Sequence, residues 1–250
     1  MFEAVVLAGG GKPDLLAAQE GVSNKAFIQL KGRPLLAYIL QALEDAPSIS
    51  RTVVVGPSKE LRELHQKDFR FDIVEELDSM LDNLAAGFEV VARDKLCLVV
   101  TGDIPLLSAA VIEDFIKLCA PHDQDFYFPI LSRETCMKEY PENVRTYVRL
   151  KEGHITGGNI VLLRPGWFLE NRARLEMFIS YRKKPLKLIK IMPVRFIYKY
   201  LFKKLSVGDL EQYLSGLLKL KARAVPCESV EISIDVDKPS DLELVKKSML

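Results

Sequence analysis

Short apolar runs recur along the chain, at Ala4–Ala8, Thr52–Val55, Phe71–Glu75, Leu96–Val100 and Asp125–Ile130. Each has the length of a strand, and each reads as a buried β-strand. Helical patterns fill the gaps at Pro34–Glu44, Lys59–Gln66, Ser79–Val91 and Ser108–Leu118. Pro34 suits a first helical turn, where its missing N–H costs nothing. Ser108 can cap the free amides of the last of these helices. The alternation predicts an α/β chain: a mostly parallel, Rossmann-like central sheet with helices on both faces. Ligands of such sheets bind outside the carboxyl ends of the strands.

Beyond residue 143 the rhythm changes. Arg145–Leu150 and His154–Leu163 read as a hairpin across Glu152 and Gly153, or as two strands of a small mixed β subregion. Residues 164–220 read as mainly helical. The pattern then predicts a strand pair at Ala222–Cys227 and Glu231–Asp235, and a helix from Pro239. There is no internal repeat and no low-complexity linker, so residues 1–250 are expected to form one domain, with 164–220 as a helical elaboration.

The chain has 250 residues, a formal net charge of +1 and 48% apolar residues, as expected of a globular domain with a sizeable core. Near-neutral charge gives no electrostatic footprint for nucleic acid. Glu3 and the short apolar run at the start do not fit a signal peptide, no stretch is long enough for a membrane span, and the expected compartment is the cytoplasm. Cys97, Cys119, Cys136 and Cys227 contain no Cys-x-x-Cys pair and are read as reduced thiols. His65, His122 and His154 are scattered, which leaves little to build a zinc site or a Ser-His-Asp triad on.

Two strand ends carry the candidate chemistry. Leu7-Ala8-Gly9-Gly10-Gly11 takes a strand into glycines, whose backbone N–H groups can face a bulky anion such as a nucleotide's phosphates. The spacing matches neither a dinucleotide fingerprint nor a Walker loop. Val99-Val100-Thr101-Gly102-Asp103 takes another strand into a carboxylate. Nucleotidyl transfer needs backbone donors, one or two cations, and a magnesium ion held by a few carboxylates. Lys12 and Lys25 are the candidate cations. Asp103 and Asp237 are the candidate Mg2+ ligands, with Asp235 on the same strand face as Asp237 if that strand continues. Asp241 reads as a first-turn acid. Ser79 and Asn83, at i and i+4 of a helix, could hydrogen-bond a base or ribose, with Gly87 permitting close approach. Gly158 and Asn159, in Thr156-Gly-Gly-Asn, are candidate acceptor contacts.

These motifs resemble the nucleotidyltransferase superfamily with the sugar-nucleotide-pyrophosphorylase, GT-A-type fold, and more narrowly its MobA-like NTP transferase branch. The likeness spans Leu7–Gly11, Lys25 with Gly32-Arg33-Pro34-Leu35-Leu36, residues 79–87, Gly102-Asp103-Ile104-Pro105, Gly157-Gly158-Asn159, and Asp237-Lys238-Pro239-Ser240-Asp241. The resemblance implies that the opening loop and Lys25 hold a triphosphate, that Asp103 is a magnesium ligand, and that Asp237 matches a second acidic position. The family loop carries an arginine after its glycines. Here no arginine precedes Arg33, and Lys12 stands where that charge would be supplied.

The expected activity is therefore Mg2+-dependent transfer of NMP from an NTP to a small phosphorylated acceptor, releasing pyrophosphate. Two alternatives stay open. One is a nucleotide-sugar glycosyltransferase, for which the one Asp-x-Asp at a strand end, Asp235-Val-Asp237, lies near the C-terminus. The other is a non-catalytic nucleotide-binding or membrane-associated protein. Residues 182–204 bear on the latter: nine Lys and Arg with no acid among them, interleaved with apolar residues. They read as a solvated amphipathic helical pair, a contact for anionic lipid or polymer, or a wall of the acceptor pocket.

Overall fold

A computed structural model describes residues 1–9, 15–65, 69–182 and 194–249, and side chains except those of 178–182. The first half contains β1 (Phe2–Leu7), α1 (Leu15–Gln19), β2 (Gln29–Leu30), β3 (Arg33–Pro34), α2 (Leu35–Glu44), β4 (Ile49–Gly56), α3 (Ser58–His65), β5 (Asp72–Glu75), α4 (Met80–Glu89), β6 (Cys97–Thr101) and α5 (Ala109–Leu118). There follow β7 (Phe126–Ser132), α6 (Arg133–Glu139), β8 (Val148–Leu150), β9 (Gly153–Gly157), β10 (Ile160–Leu163), α7 (Pro165–Arg182), α8 (Val194–Leu201), α9 (Val207–Leu218), β11 (Ala222–Pro226) and α10 (Pro239–Ser248).

Among the described residues one nine-stranded sheet runs β5-β4-β1-β6-β10-β7-β9-β8, with β11 on the other edge of β7. The stretch from β5 to β6 is parallel, and β10 enters antiparallel between β6 and β7. The mixed strands thus extend the main sheet. In the parallel half both faces are covered, which is why its strands are continuous apolar runs. Successive side chains point to opposite faces. Ala4, Val6, Val54, Leu98 and Val100 pack with Ile39 and Leu43 of α2 and Phe115 of α5. Val5, Val53, Val55 and Val99 pack with Phe88 of α4 and Phe168 of α7, whose rings meet edge-on at 5.2 Å.

Three expectations are corrected. Glu231–Asp235 is not a strand: Val230–Ser233 form a 3-10 turn, with the Ser233 hydroxyl donating to the Val230 carbonyl at 2.8 Å. Residues 154–163 are not one strand. β9 and β10 run along the same edge of β7 but break at Gly158 and Asn159, where the Asn159 N–H donates to Ile232 O at 2.7 Å. Of Arg145–Leu150, only Val148–Leu150 is extended into the sheet. The four cysteines are buried and free. Among the described residues no helix is long and apolar enough to cross a membrane.

Candidate active site

β1 delivers the chain to the sheet's carboxyl edge, where the Ala8 N–H still donates to Val55 O at 2.8 Å. Gly9 then passes close to α4. A Cβ here would stand 2.6 Å from Glu76 Oε2 and 2.9 Å from Asn83 Nδ2, so only glycine fits without displacement. Gly10, Gly11 and Lys12 lie outside the described residues.

Three distant segments converge beside Gly9. Asn24 accepts the Ala26 N–H at 2.9 Å and caps a 3-10 turn, Lys25–Phe27, whose Ala26 and Phe27 are buried. That turn anchors Lys25. Asp103 follows β6, where the Gly102 N–H donates to Leu7 O at 2.9 Å. The C-terminal segment is tied to it by the Val236 N–H, which donates to Asp103 O at 3.0 Å. Asp241 holds the turn that carries Asp237, accepting the N–H groups of Asp237 and Lys238 at 3.0 and 2.9 Å.

The Lys25 ammonium contacts both carboxylates, Asp103 Oδ2 at 3.0 Å and Asp237 Oδ1 in a shorter contact. Burial by itself would lower the Lys25 pKa, but the charge of Asp103 and hydrogen bonds to Asp237 and Asp103 outweigh it and raise it. Burial likewise opposes ionisation of Asp237, and the Lys25 contact overcomes it, holding Asp237 below the usual carboxylate range. Lys25 and Asp237 are therefore held in their charged forms at neutral pH.

The carboxylates face adjoining hollows. Asp103 lines one of about 180 Å³ with Leu7, Gly9, Lys25, Met80 and Thr101. Asp237 lines a groove of about 830 Å³ with Arg145, Gly158, Asn159 and Asp235. The Lys25 ammonium bridges the boundary. The break between β9 and β10 places Asn159, whose carbonyl accepts the Thr101 N–H at 3.2 Å. Its Nδ2 is buried without a hydrogen-bond partner among the described residues.

Asn83 and Ser79 separate in role. Asn83 is fully buried, accepts the Leu77 N–H at 2.5 Å through Oδ1, and leaves Nδ2 without a partner among the described residues beside Gly9. Ser79 is not within the helix as expected. It is the N-cap of α4, and its exposed hydroxyl accepts the Asp82 N–H at 3.1 Å, a capping duty.

Arg145 escaped the sequence reading. It donates to Asp235 Oδ1 at 3.0 Å and to Gly157 O at 3.1 Å, forming a cationic wall in the larger groove. Burial raises the Asp235 pKa, Arg145 pulls it back, and Asp237 and Asp103 push it up again, for a net rise. No spacing signal marks an arginine whose partner is so far along the chain.

Among the described residues no three His, Cys, Asp or Glu side chains are grouped to hold a metal ion by themselves. Magnesium asks for less, since it binds through one or two carboxylates, waters and substrate phosphates. Asp103 fits that demand: its Oδ1 is buried with no hydrogen-bond partner among the described residues. Asp237, about half exposed, supplies a second carboxylate on the same ammonium.

A model of the MobA-like NTP transferase domain matches residues 4–215. A solved structure of a hypothetical transferase from Thermus thermophilus superimposes with a TM-score of 0.84 at 32% identity, covering 96% of this chain and 99% of that one. The 2-C-methyl-D-erythritol 4-phosphate cytidylyltransferase of Clostridium novyi is 33% identical over 101 residues, 38% of this chain and 44% of its own length. The probable molybdenum cofactor guanylyltransferase of Thermococcus kodakarensis is 32% identical over 111 residues, 44% of this chain and 50% of its own length. The match thus spans about half the length of these curated relatives.

Proposed function

The chain belongs to the MobA-like NTP transferase family, and we propose that it is a magnesium-dependent nucleotidyltransferase that moves NMP from an NTP to a phosphorylated acceptor. The observation that carries this is the meeting of Lys25, Asp103 and Asp237 beside the glycine-ended strand. The named relatives, a cytidylyltransferase and a probable guanylyltransferase, support the reaction class.

In the reaction an acceptor phosphate oxygen forms a bond to the α-phosphorus. The bond from that phosphorus to the bridging oxygen breaks, and pyrophosphate departs with the electron pair. Catalysis of this kind is mostly positioning and charge stabilisation. Leu7, Ala8 and Gly9 form the phosphate-side edge, with Gly10, Gly11 and Lys12 continuing it in sequence. Lys25 offsets charge gathering on the leaving pyrophosphate. Asn83 Nδ2 offers a hydrogen bond on the nucleotide side. Gly158 and Asn159 face the acceptor. Asp103 and Asp237 would hold Mg2+, which when bound offsets the charge of the triphosphate.

A panel of the four NTPs with magnesium, read first by thermal shift and then by pyrophosphate release against phosphorylated acceptors, tests this reading. One NTP should stabilise the fold most, by mass action, and the same NTP should support release. Tight NTP binding with no release from any acceptor would favour a non-catalytic role instead.

A peripheral membrane contact is a separate proposal, motivated by one surface. α8 exposes Tyr198 and Leu201, followed by Phe202, with Arg195, Lys203 and Lys204 alongside. Residues 183–193 lie outside the described residues. Flotation with anionic and with neutral liposomes tests it; recovery of the protein with neither would dismiss it.

A further inference from the structure

The larger groove has two chemistries. Its inner end is charged, with Arg145 and Lys238 set among Asp235, Asp237 and Asp241. Its length is apolar. β7 alternates strictly: Tyr127 and Leu131 point into the core at 0% and 1% exposure, while Phe126, Phe128 and Ile130 line the groove on the other face and remain half-buried. The Phe126 and Phe128 rings lie 6.2 Å apart and within 25° of parallel, making a strip rather than isolated contacts. Across the groove, α9 presents Leu210 and Leu214, one helical turn apart. Gly157 keeps the strip open: a Cβ there would stand 2.3 Å from the Phe128 ring.

A small polar phosphate would use only the charged end. At about 830 Å³ the groove falls in the range that encloses a drug-sized molecule. An apolar sheet face held half open beside a charged site calls for a ligand with both characters. We propose that the acceptor is an amphiphilic phosphomonoester, its phosphate at the Arg145 and Lys238 end and an apolar chain along Phe126, Phe128 and Leu210. This rests on the nucleotidyltransferase reading for the role of acceptor. The occupant is fixed by continuity, since one groove joins the apolar strip to Asp237 and thence to Lys25.

The test uses the full chain without nucleotide and measures binding of butyl, octyl and dodecyl phosphate by calorimetry below their micelle concentrations, with glucose 1-phosphate as the polar comparator. Each methylene buried fully strengthens binding about three- to fourfold, so a groove that remains partly open should still favour dodecyl over butyl phosphate by at least about thirtyfold. Phe128→Ser should erase at least about tenfold of that preference, with the larger loss on dodecyl phosphate. Leu214→Ser, on the opposite wall, gives the same readout if Phe128→Ser fails to fold. Affinity independent of chain length, glucose 1-phosphate binding as tightly as dodecyl phosphate, or a preference intact in the folded variants would overturn the proposal. Pyrophosphate release is scored separately: its absence with every NTP would count against the reaction, and chain-length dependence alone decides the groove.

Discussion

Lys25 and Asp237 lie 212 residues apart in sequence and form a direct ion pair. The same ammonium touches Asp103, and the Val236 N–H fastens the two acidic segments together. Nothing local demands this convergence. Three separate turns each spend their own hydrogen bonds to bring one charged side chain to a common point. The consequences of that point are open to measurement.

Asp103→Asn keeps the shape of the side chain and removes its charge. Pyrophosphate release should fall by roughly 100- to 1000-fold, the usual loss when a preorganised charge-stabilising group is removed. Thermal stability should fall by less than in a variant that removes Lys25, because the Lys25 ammonium keeps Asp237 and Val236 bonds the backbone of Asp103, not its carboxylate. Near-normal release would take Asp103 out of the chemistry.

Lys25→Met leaves two carboxylates facing one another without their shared cation. At neutral pH the cost should be about 1–2 kcal/mol, below that of a fully buried pair because Asp237 is 54% exposed. The Asp237 pKa is depressed in the fold, so its share of stability is present above the ordinary carboxylate range and lost as pH falls through the folded value. The Lys25 pKa is raised, so its share persists below its ordinary value of 10.5 and is lost only as pH climbs past the folded value. Urea unfolding of the variant against wild type should therefore show a deficit at pH 7 that narrows by about pH 3. Millimolar MgCl2 should recover stability in Lys25→Met and not in Lys25→Met with Asp103→Asn. Equal responses in the two would argue against magnesium at these carboxylates.

Lys25, Asp103 and Asp237 were legible in the sequence because each sits next to a strand end or a short capped turn, and strand ends in a parallel sheet are where ligands gather. The parallel half was legible because Val53–Val55 and Leu98–Val100 are buried on both faces and have no polar positions to blur them. Residues 230–234 misled for a physical reason. Val230, Ile232 and Ile234 alternate with polar residues as a strand does, yet the Ser233 hydroxyl and the Ile234 N–H both bond backward within the segment and curl it. The break at Gly158 and Asn159 was likewise hidden, since it is set by a long-range bond from the Asn159 N–H to Ile232 O.

Arg145 restrains a carboxyl that burial would rather see protonated. The Asp235 pKa is raised in the fold, so its contribution is larger in acid and is lost as pH rises through the folded value. Removing Arg145 deepens that loss. Arg145→Ala should cost about 2 kcal/mol at pH 7, with the deficit shrinking toward about pH 4 as Asp235 takes up a proton. Arg145→Lys should recover only part of it, since lysine lacks the fork that reaches both Asp235 and Gly157. A deficit that does not change with pH would show that Arg145 serves packing alone.

Asp209 governs the start of the groove's helical wall. It bonds the Ser206 N–H at 3.1 Å and receives Lys199 at 2.6 Å, and these contacts lower its pKa to about 2. The sign is that of a depressed carboxylate: stability is present above the ordinary value of 3.8 and fades as pH falls toward about 2. Thermal melts of Asp209→Asn should lie below wild type at pH 7 and converge with it near pH 2. Parallel curves would remove the carboxylate from the account.

Gly157 separates the two sides of the site. A methyl group there would meet the Phe128 ring at 2.3 Å, and ordinary contact needs more than an ångström beyond that, so Gly157→Ala must push the ring aside or bend β9. Overpacking of this kind costs typically about 1–3 kcal/mol. The nucleotide side should be untouched, because among the described residues neither Gly157 nor Phe128 lines the hollow that holds Gly9, Lys25 and Asp103. NTP-induced thermal shift should thus match wild type while binding of long-chain alkyl phosphates weakens at least about tenfold. Equal weakening on both sides would mean that the change spreads through the sheet, and that the groove and the nucleotide cleft are not separable.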